Sequence, residues 1–462
     1  MLNGFLMTTI KMSELIKKYN VAGPRYTSYP TVPYWDKSPT IQQWKEEVKS
    51  SFDETNSENG ISIYIHLPFC ESLCTYCGCN TRITKNHSVE STYILAVLNE
   101  WAMYLEIFEE APRVKEIHLG GGTPTFFSPE HLKQLIDGIT SSSVVCKNAE
   151  FSFEAHPNNT TKEHLKILYD LGFRRMSLGI QDFDPKVQEI VNRIQPFEKV
   201  EQVTNEAREI GFTSINFDLI YGLPLQKKFS VVDTIRKVNS LRPDRIAFYS
   251  YAHVPWIKPG QRKFTELDLP KGEEKRELYE TGRNMLEDFG YAEIGMDHFA
   301  LKSDSLYKSA KSKTLHRNFM GYSHSYTQLM IGLGVSSISD SWYAYGQNVK
   351  KVEEYYDHIN KGQLPIFRGH LLNEEDLILR KHILNIMCRL ETAWENESEQ
   401  TQAVYDAIEH LKEMEQDGLV LLSSYNLKVT EKGKAFIRNI CMAFDARLWR
   451  NTPQTEIFSK VI

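Results

Sequence analysis

Between residues 60 and 300 two kinds of segment alternate. Short apolar, β-branched runs occupy 61–67 (ISIYIHL), 114–120 (VKEIHLG), 149–155 (AEFSFEA), 174–180 (RRMSLGI), 214–220 (SINFDLI) and 245–251 (RIAFYSY). Between them lie longer stretches at 87–109, 129–140, 161–171, 197–210 and 228–241, whose apolar positions recur at helical spacing. Leu165, Leu168 and Tyr169, for instance, share one helix face. Strands alternating with helices predict parallel βα units. Six units with polar and Gly-rich residues at their strand C-terminal ends predict an α/β fold built as a complete or partial (β/α)6 TIM-like barrel. A doubly wound open sheet has the same alternation.

The flanks differ in character. The segment GPRYTSYPTVPYWDKSP carries four prolines and no periodicity, which sets residues 1–55 apart as an N-terminal extension to a barrel spanning 56–300. Beyond 300 the rhythm stops, and 301–462 is expected to be a linker and a mostly helical C-terminal domain. Within it, 374–418 reads as helical, followed by two short strands and a final helix. That order is similar to a winged helix, but the negative charge of the chain favours a helical domain with a β-ribbon over DNA binding.

The 462 residues, 41% hydrophobic and 25% charged, fit a globular chain of roughly two to three domains, or one barrel with appendages. The 54 basic and 60 acidic side chains leave a net charge of −6, which is no footprint of a nucleic-acid binder. No run approaches the about 18 apolar residues of a membrane span. The N-terminus has no basic segment ahead of its apolar patch and no cleavage site. The expectation is a cytoplasmic protein with neither nucleic-acid nor membrane partners.

The cysteines change the picture most. Cys70, Cys74, Cys77 and Cys79 fall within ten residues directly after the first strand, whereas Cys146, Cys388 and Cys441 are scattered and read as small buried hydrophobes. Structural zinc usually takes two separated pairs of ligands, and thioredoxin-type chemistry needs only a Cys-x-x-Cys. A C-x₃-C-x₂-C loop can instead wrap three corners of a cubane iron–sulfur cluster, leaving one iron open to a chelating small molecule.

C-x₃-C-x₂-C after the first strand of a βα array resembles the radical S-adenosylmethionine (SAM) superfamily. That resemblance implies a partial (β/α)6 radical SAM barrel and a [4Fe–4S] cluster on Cys70, Cys74 and Cys77, with SAM chelating the fourth iron. The likeness extends over the chain. GPRYTSYPT (23–31), IHLPFC with CGCN, HLGGGTPT (118–125), GIQDF (179–183), VNRIQP (191–196), DLIYGLP (218–224), SYAHVP (250–255), GMDHFA (295–300), LHRNF (315–319), GVSSIS (334–339) and IRNICMAFD look like the oxygen-independent coproporphyrinogen III oxidase family. Cys79, in the Cys-Gly-Cys ending, is characteristic of that family. The resemblance also implies that the N-terminal extension, 1–55, covers the active site.

Residue by residue, the loop Gly120-Gly121-Gly122-Thr123 lets a ligand approach the backbone closely. The resemblance implies that Gly121 contacts one SAM, and Gly122 and Thr123 a second. Glu154 closes the third strand, where a carboxylate faces a barrel mouth; a solvated loop carboxylate is the alternative. By resemblance Glu154 binds the first SAM together with Tyr64. Gln181, Arg193 and Asp218, with Tyr76, Ala252 and Ile338 lining, correspond to the second. A guanidinium at Arg193 can clamp a carboxylate, or merely pair with a surface acid. Departures from the family pattern are Tyr76 in place of Phe, Ala155-His156 after Glu154, and Met320 where Gln is common.

The activity implied is oxidative decarboxylation of two propionates of coproporphyrinogen III to vinyl groups, giving protoporphyrinogen IX. The reaction would use a 5′-deoxyadenosyl radical and an external electron donor and acceptor, in a monomer. The rival readings are a haem-binding, chaperone-like relative and a radical SAM enzyme acting on another tetrapyrrole.

Overall fold

Six strands form where the apolar runs predict them: β1 (Ile61–Leu67), β2 (Arg113–Gly121), β3 (Val144–Ala155), β4 (Phe173–Gln181), β5 (Ser214–Tyr221) and β6 (Arg245–Ser250). Each lies parallel to the next. The computed structural model describes residues 11–451 and 458–460. It divides the chain into two compact units, one of residues 35–371 and one made of the two chain ends, 1–34 and 372–462.

In the larger unit, alternation along each strand sorts the side chains. Ile61, Ile63, Ile65 and Leu67 of β1 are fully buried in the apolar core, leaving Ser62, Tyr64 and His66 on the opposite, inward face. Helix α1 (Ile41–Thr55) precedes β1, and the intervening helices include α2 (Val89–Phe108), α3 (Pro129–Thr140), α4 (Lys162–Asp170), α5 (Phe197–Ile210) and α6 (Lys228–Leu241). Local chemistry sets their starts. Ser128 caps α3 by accepting the His131 amide ahead of Pro129, and Thr161 and His164 form a capping box on α4.

The alternation ends near residue 300, but the sheet does not. After β7 (Tyr291–Gly295) and β8 (His298–Leu301), strand β9 (Leu329–Leu333) pairs parallel to β1 on its free side, and β10 (Ile338–Asp340), β11 (Ala344–Asn348) and β12 (Ile366–Leu371) follow antiparallel. The twelve strands run β12-β11-β10-β9-β1-β2-β3-β4-β5-β6-β8-β7, so the barrel is open between β12 and β7. Strands 329–348 are short and joined by tight turns, so they lack the strand–helix rhythm that marks the earlier units. β3 also begins five residues before the predicted run. Its first part is largely exposed, and Cys146 within it is half-buried rather than a core residue, whereas Cys388 and Cys441 are buried as expected.

One buried acid fastens the added strands to the helical layer. Glu100 of α2 accepts hydrogen bonds from the Gly334 amide at 2.7 Å, Asn348 Nδ2 at 2.6 Å and the hydroxyl of Tyr355 in α7 (Val352–Asn360) at 2.6 Å. Burial pushes its carboxyl up to about 7, against these donors.

In the smaller unit, α8 (Glu374–Arg389), α9 (Gln402–Gln416) and α10 (Ile437–Ala443) accompany a three-stranded sheet of 391–393, 426–429 and 420–422. The expected ribbon is therefore joined by a third strand. Asp376 takes the Arg447 guanidinium at 2.9 and 2.7 Å, and Arg438 donates to the Pro24 and Gly23 carbonyls.

Candidate active site

Parallel strands deliver their C-terminal ends to one rim, and the cysteine loop leaves β1 there. Its two ends are clamped by a short parallel pairing: the Arg82 amide donates to the Pro68 carbonyl at 2.8 Å and the Thr84 amide to the Cys70 carbonyl at 2.9 Å. The middle is tied from outside. The Thr75 amide reaches the Val191 carbonyl at 2.9 Å, Asn192 donates to the Leu73 carbonyl at 2.8 Å, and Lys258 donates to the Cys79 carbonyl at 3.1 Å. Contacts to its backbone thus fix the loop without drawing on the thiols. Burial pushes the Cys70 thiol up to about 11, while a hydrogen bond shared with Cys79 brings Cys77 down to about 6.

The glycine loop at the end of β2 lies against this segment. Gly121 adopts φ 111°, and a Cβ there would sit 2.7 Å from the His66 ring; one on Gly122 would sit 2.6 Å from the Pro68 carbonyl. A glycine loop that a ligand approaches closely can offer it free N–H groups. They are used internally instead: Gly121 donates to Glu154 at 3.2 Å, Gly122 to the Leu67 carbonyl at 2.8 Å and Thr123 to the Phe69 carbonyl at 3.0 Å. The Thr123 hydroxyl lies 3.2 Å from the Cys70 sulfur. Close backbone approach is what the glycines supply, and it serves the joint between β2 and the cysteine loop.

Glu154 lies beside Gly120, His118 and Tyr64. A Cβ on Gly120 would meet both the Tyr64 ring and the Glu154 carboxylate. His118 Nε2 is 3.7 Å from Glu154, and Tyr64 stacks on the His118 ring at 5.9 Å. Its place inside the barrel opposes ionisation, but the His118 contact and the Gly121 amide outweigh this and hold Glu154 below the usual carboxylate range. His66, which contacts the Tyr64 hydroxyl at 3.1 Å and the Asn80 carbonyl at 2.9 Å, is kept neutral chiefly by burial.

Arg193 stands on the segment after β4. Nη2 donates to the Gly179 carbonyl at 2.6 Å, Nε to Gln195 at 3.1 Å and Nη1 to the Cys74 sulfur at 3.6 Å. None of these acceptors is a carboxylate, which sets aside the surface ion pair. Gln195 also grips the carbonyls of Gly179 and Ile180, so the guanidinium is held by a fixed frame. On β5, Asp218 accepts from Ser177 at 2.6 Å and Asn216 at 3.0 Å, and burial pushes its carboxyl up to about 6. His156 is pushed down to about 3, first by burial and then by the Arg193 charge.

A cavity of about 410 Å³ collects most of the candidate residues. Cys70, Cys74, Cys77 and Cys79 line it, as do Tyr76, Gly121, Gly122 and Thr123, together with Glu154, Gln181, Arg193 and Asp218. Three candidates lie off this wall. Tyr64 is against its Gly120–Glu154 side. Ala252 is tied beside Tyr76, since Gln261 donates to both their carbonyls. Ile338 sits on β10, where its backbone would meet a Cβ on Gly332, the register partner of Tyr64. His66, His118, Ser177, Asn216 and Gln195 were not singled out from sequence. The inward alternation of β1 and β2 was the signal for the two histidines.

Among the described residues no three His, Cys, Asp or Glu side chains converge on a single ion. Four thiols facing one cavity, with Arg193 on one of them, suit a polynuclear iron–sulfur cluster whose negative charge needs a nearby cation.

Comparison with known proteins agrees. The sequence profile of the radical SAM superfamily matches residues 64–238. The oxygen-independent coproporphyrinogen III oxidase of Helicobacter pylori (strain ATCC 700392 / 26695) is 38% identical over 444 residues, 94% of this chain and 96% of that one. Its counterpart in Escherichia coli (strain K12) is 37% identical over 453 residues, 97% and 98% of the two chains. The solved structure of the Escherichia coli coproporphyrinogen III oxidase, described as a radical SAM enzyme, superposes with a TM-score of 0.88 at 36% identity, over 94% of this chain and 98% of that one. An open parallel barrel with its thiol loop after the first strand is thus that of a radical SAM protein. Similarity running nearly end to end narrows the class further. The chain belongs to the oxygen-independent coproporphyrinogen III oxidases.

Proposed function

We infer that the protein converts two propionate side chains of coproporphyrinogen III to vinyl groups without oxygen, giving protoporphyrinogen IX in haem biosynthesis. The observation that carries this is the shared cavity: the three-thiol loop opens onto the same space as Glu154, Arg193 and Asp218, in a chain matched over nearly its full length. The cofactors are a [4Fe–4S] cluster and two molecules of SAM. When bound and reduced, they supply the 5′-deoxyadenosyl radical that takes a hydrogen atom from the substrate.

Each propionate gives up a hydrogen atom, one electron and carbon dioxide, so an electron acceptor is needed as well as a donor for the cluster. In our assignment Cys70, Cys74 and Cys77 hold the cluster. Gly121, Tyr64 and Glu154 hold the first SAM, with the ionised Glu154 as acceptor for its polar groups. Tyr76, Gly122, Thr123, Gln181, Arg193, Asp218, Ala252 and Ile338 belong to the second, where the framed guanidinium of Arg193 suits the methionyl carboxylate. The protein's own contribution is orientation and exclusion of water. Among the described residues no helix is long and apolar enough to cross a membrane, and we place the reaction in the cytoplasm, in a monomer.

Anaerobic incubation of cluster-reconstituted protein with coproporphyrinogen III, SAM and a reductant tests the reading. The expected product is protoporphyrinogen IX. Tight haem binding with no vinyl product would instead identify a haem-handling relative.

A further inference from the structure

Arg317 is 5% exposed, yet its Nε and Nη1 are buried with no hydrogen-bond partner among the described residues. Arg245, buried in the same unit, meets a carboxylate, Asp304, at 2.8 Å through Nε even though its Nη1 also lacks a hydrogen-bond partner, and the half-buried Arg175 pairs with Glu150. Arg317 meets no carboxylate in any ion pair among the described residues. A guanidinium does not escape the cost of burial by losing its proton, so an unpaired one inside a protein calls for an anion.

Its surroundings connect it to the cavity. Arg317 lies in a hairpin of 316–318 and 321–323. Its guanidinium rests 4.6 Å from the Tyr322 ring, which meets His298 edge-on at 5.2 Å. His298 pairs with Ala247, and Ala247 with Asp218 of the cavity wall. On the other side, Phe319 meets Tyr345 of β11 at 5.8 Å and Trp35 at 5.9 Å, with Trp35 stacked on Tyr345 at 4.9 Å. The hairpin therefore touches β8, next to one edge strand, and β11, next to the other. It presents one buried cation among aromatic rings. That combination fits a ligand with an extended ring system and peripheral carboxylates.

We propose that Arg317 binds a propionate carboxylate of the tetrapyrrole and holds the macrocycle while another propionate reacts. The proposal rests on the substrate assigned above. A bound carboxylate turns the orphaned donors into charge-assisted hydrogen bonds.

The test measures fluorescence quenching of coproporphyrin III, and of its tetramethyl ester, by wild type, Arg317→Gln and Arg317→Met. Iron content and substrate-free SAM cleavage are followed in parallel. Both variants should keep iron and SAM cleavage, and should lose about ten- to hundred-fold of the affinity for the acid but little of that for the ester. Arg317→Met, close in length and apolar, carries the comparison if Arg317→Gln does not fold. Unchanged affinity for the acid in a folded variant overturns the proposal, as does an equal loss for acid and ester. The two readings also separate. A wild type that makes no vinyl product but shows the Arg317-dependent preference for the acid loses the assigned activity and keeps the carboxylate site.

Discussion

Arg193 Nη1 donates to the sulfur of Cys74 at 3.6 Å, joining residues 119 positions apart in the chain. The same guanidinium is framed by Gly179 and Gln195. A cation assigned to the second SAM thus also touches a thiol assigned to the cluster, and the two sites share one wall.

Because the loop is fixed by backbone contacts rather than by its thiols, cysteine variants should remove ligands without unfolding the barrel. Cys70→Ala, Cys74→Ala and Cys77→Ala are each expected to lose the about four irons and four sulfides of a cubane, and all activity. Cys79→Ala is expected to assemble it. Iron and sulfide analysis with visible absorption decides; a full cluster in any of the first three removes that residue from the ligand set.

Arg193→Ala should keep the cluster and bind one SAM instead of two, with turnover lost. Arg193→Lys should recover the second site only in part, because an ammonium cannot reproduce the planar fork. Equilibrium binding of labelled SAM reads the stoichiometry. Two molecules on Arg193→Ala would return this residue to a structural role.

Two glycines test the geometry with a single methyl group. A Cβ on Gly179 would sit 2.7 Å from Arg193 Nη2, which the Gly179 carbonyl holds, and 2.8 Å from Gln181 Nε2. Gly179→Ala should therefore leave the cluster intact and weaken the second SAM about tenfold, as a small overpacking penalty of about 1–3 kcal/mol allows. Gly121→Ala meets the His66 ring at a φ of 111°, so it should disturb the cysteine loop and lower cluster occupancy. Equal behaviour of the two variants in iron content would contradict this division.

Glu100 gives the fold a pH dependence independent of the site. In the unfolded chain it loses its proton near 4.5, in the folded one only near about 7. Between those values the folded state holds the extra proton, so its contribution to stability falls as pH rises through that window, by about 3 kcal/mol in total. Denaturant unfolding at pH 5 and pH 7 should show this loss in wild type and a smaller one in Glu100→Gln. Parallel slopes for the two proteins would show that Glu100 is ionised at both.

The six parallel strands and the placement of Glu154 at a strand end were legible in the sequence, because period-two apolar runs alternating with helices leave few topologies. Asp218 was singled out by the family resemblance alone. The strands of 329–348 were not, since turns rather than helices connect them and they are only three to five residues long. The role of the Gly121 and Gly122 amides was also hidden. Glycine permits close approach, but which atom approaches is decided by the neighbouring strand. Arg317 stood in a quoted motif, and only its missing partner in three dimensions distinguishes it from any other arginine.

Release of labelled carbon dioxide from carboxyl-labelled coproporphyrinogen III tests the central claim most directly. In an anaerobic reaction with reconstituted protein, SAM, a reductant and an electron acceptor, two of the four propionate carboxylates should leave as carbon dioxide, and none when SAM is omitted. Cluster-loaded, SAM-cleaving protein that releases none would contradict the account.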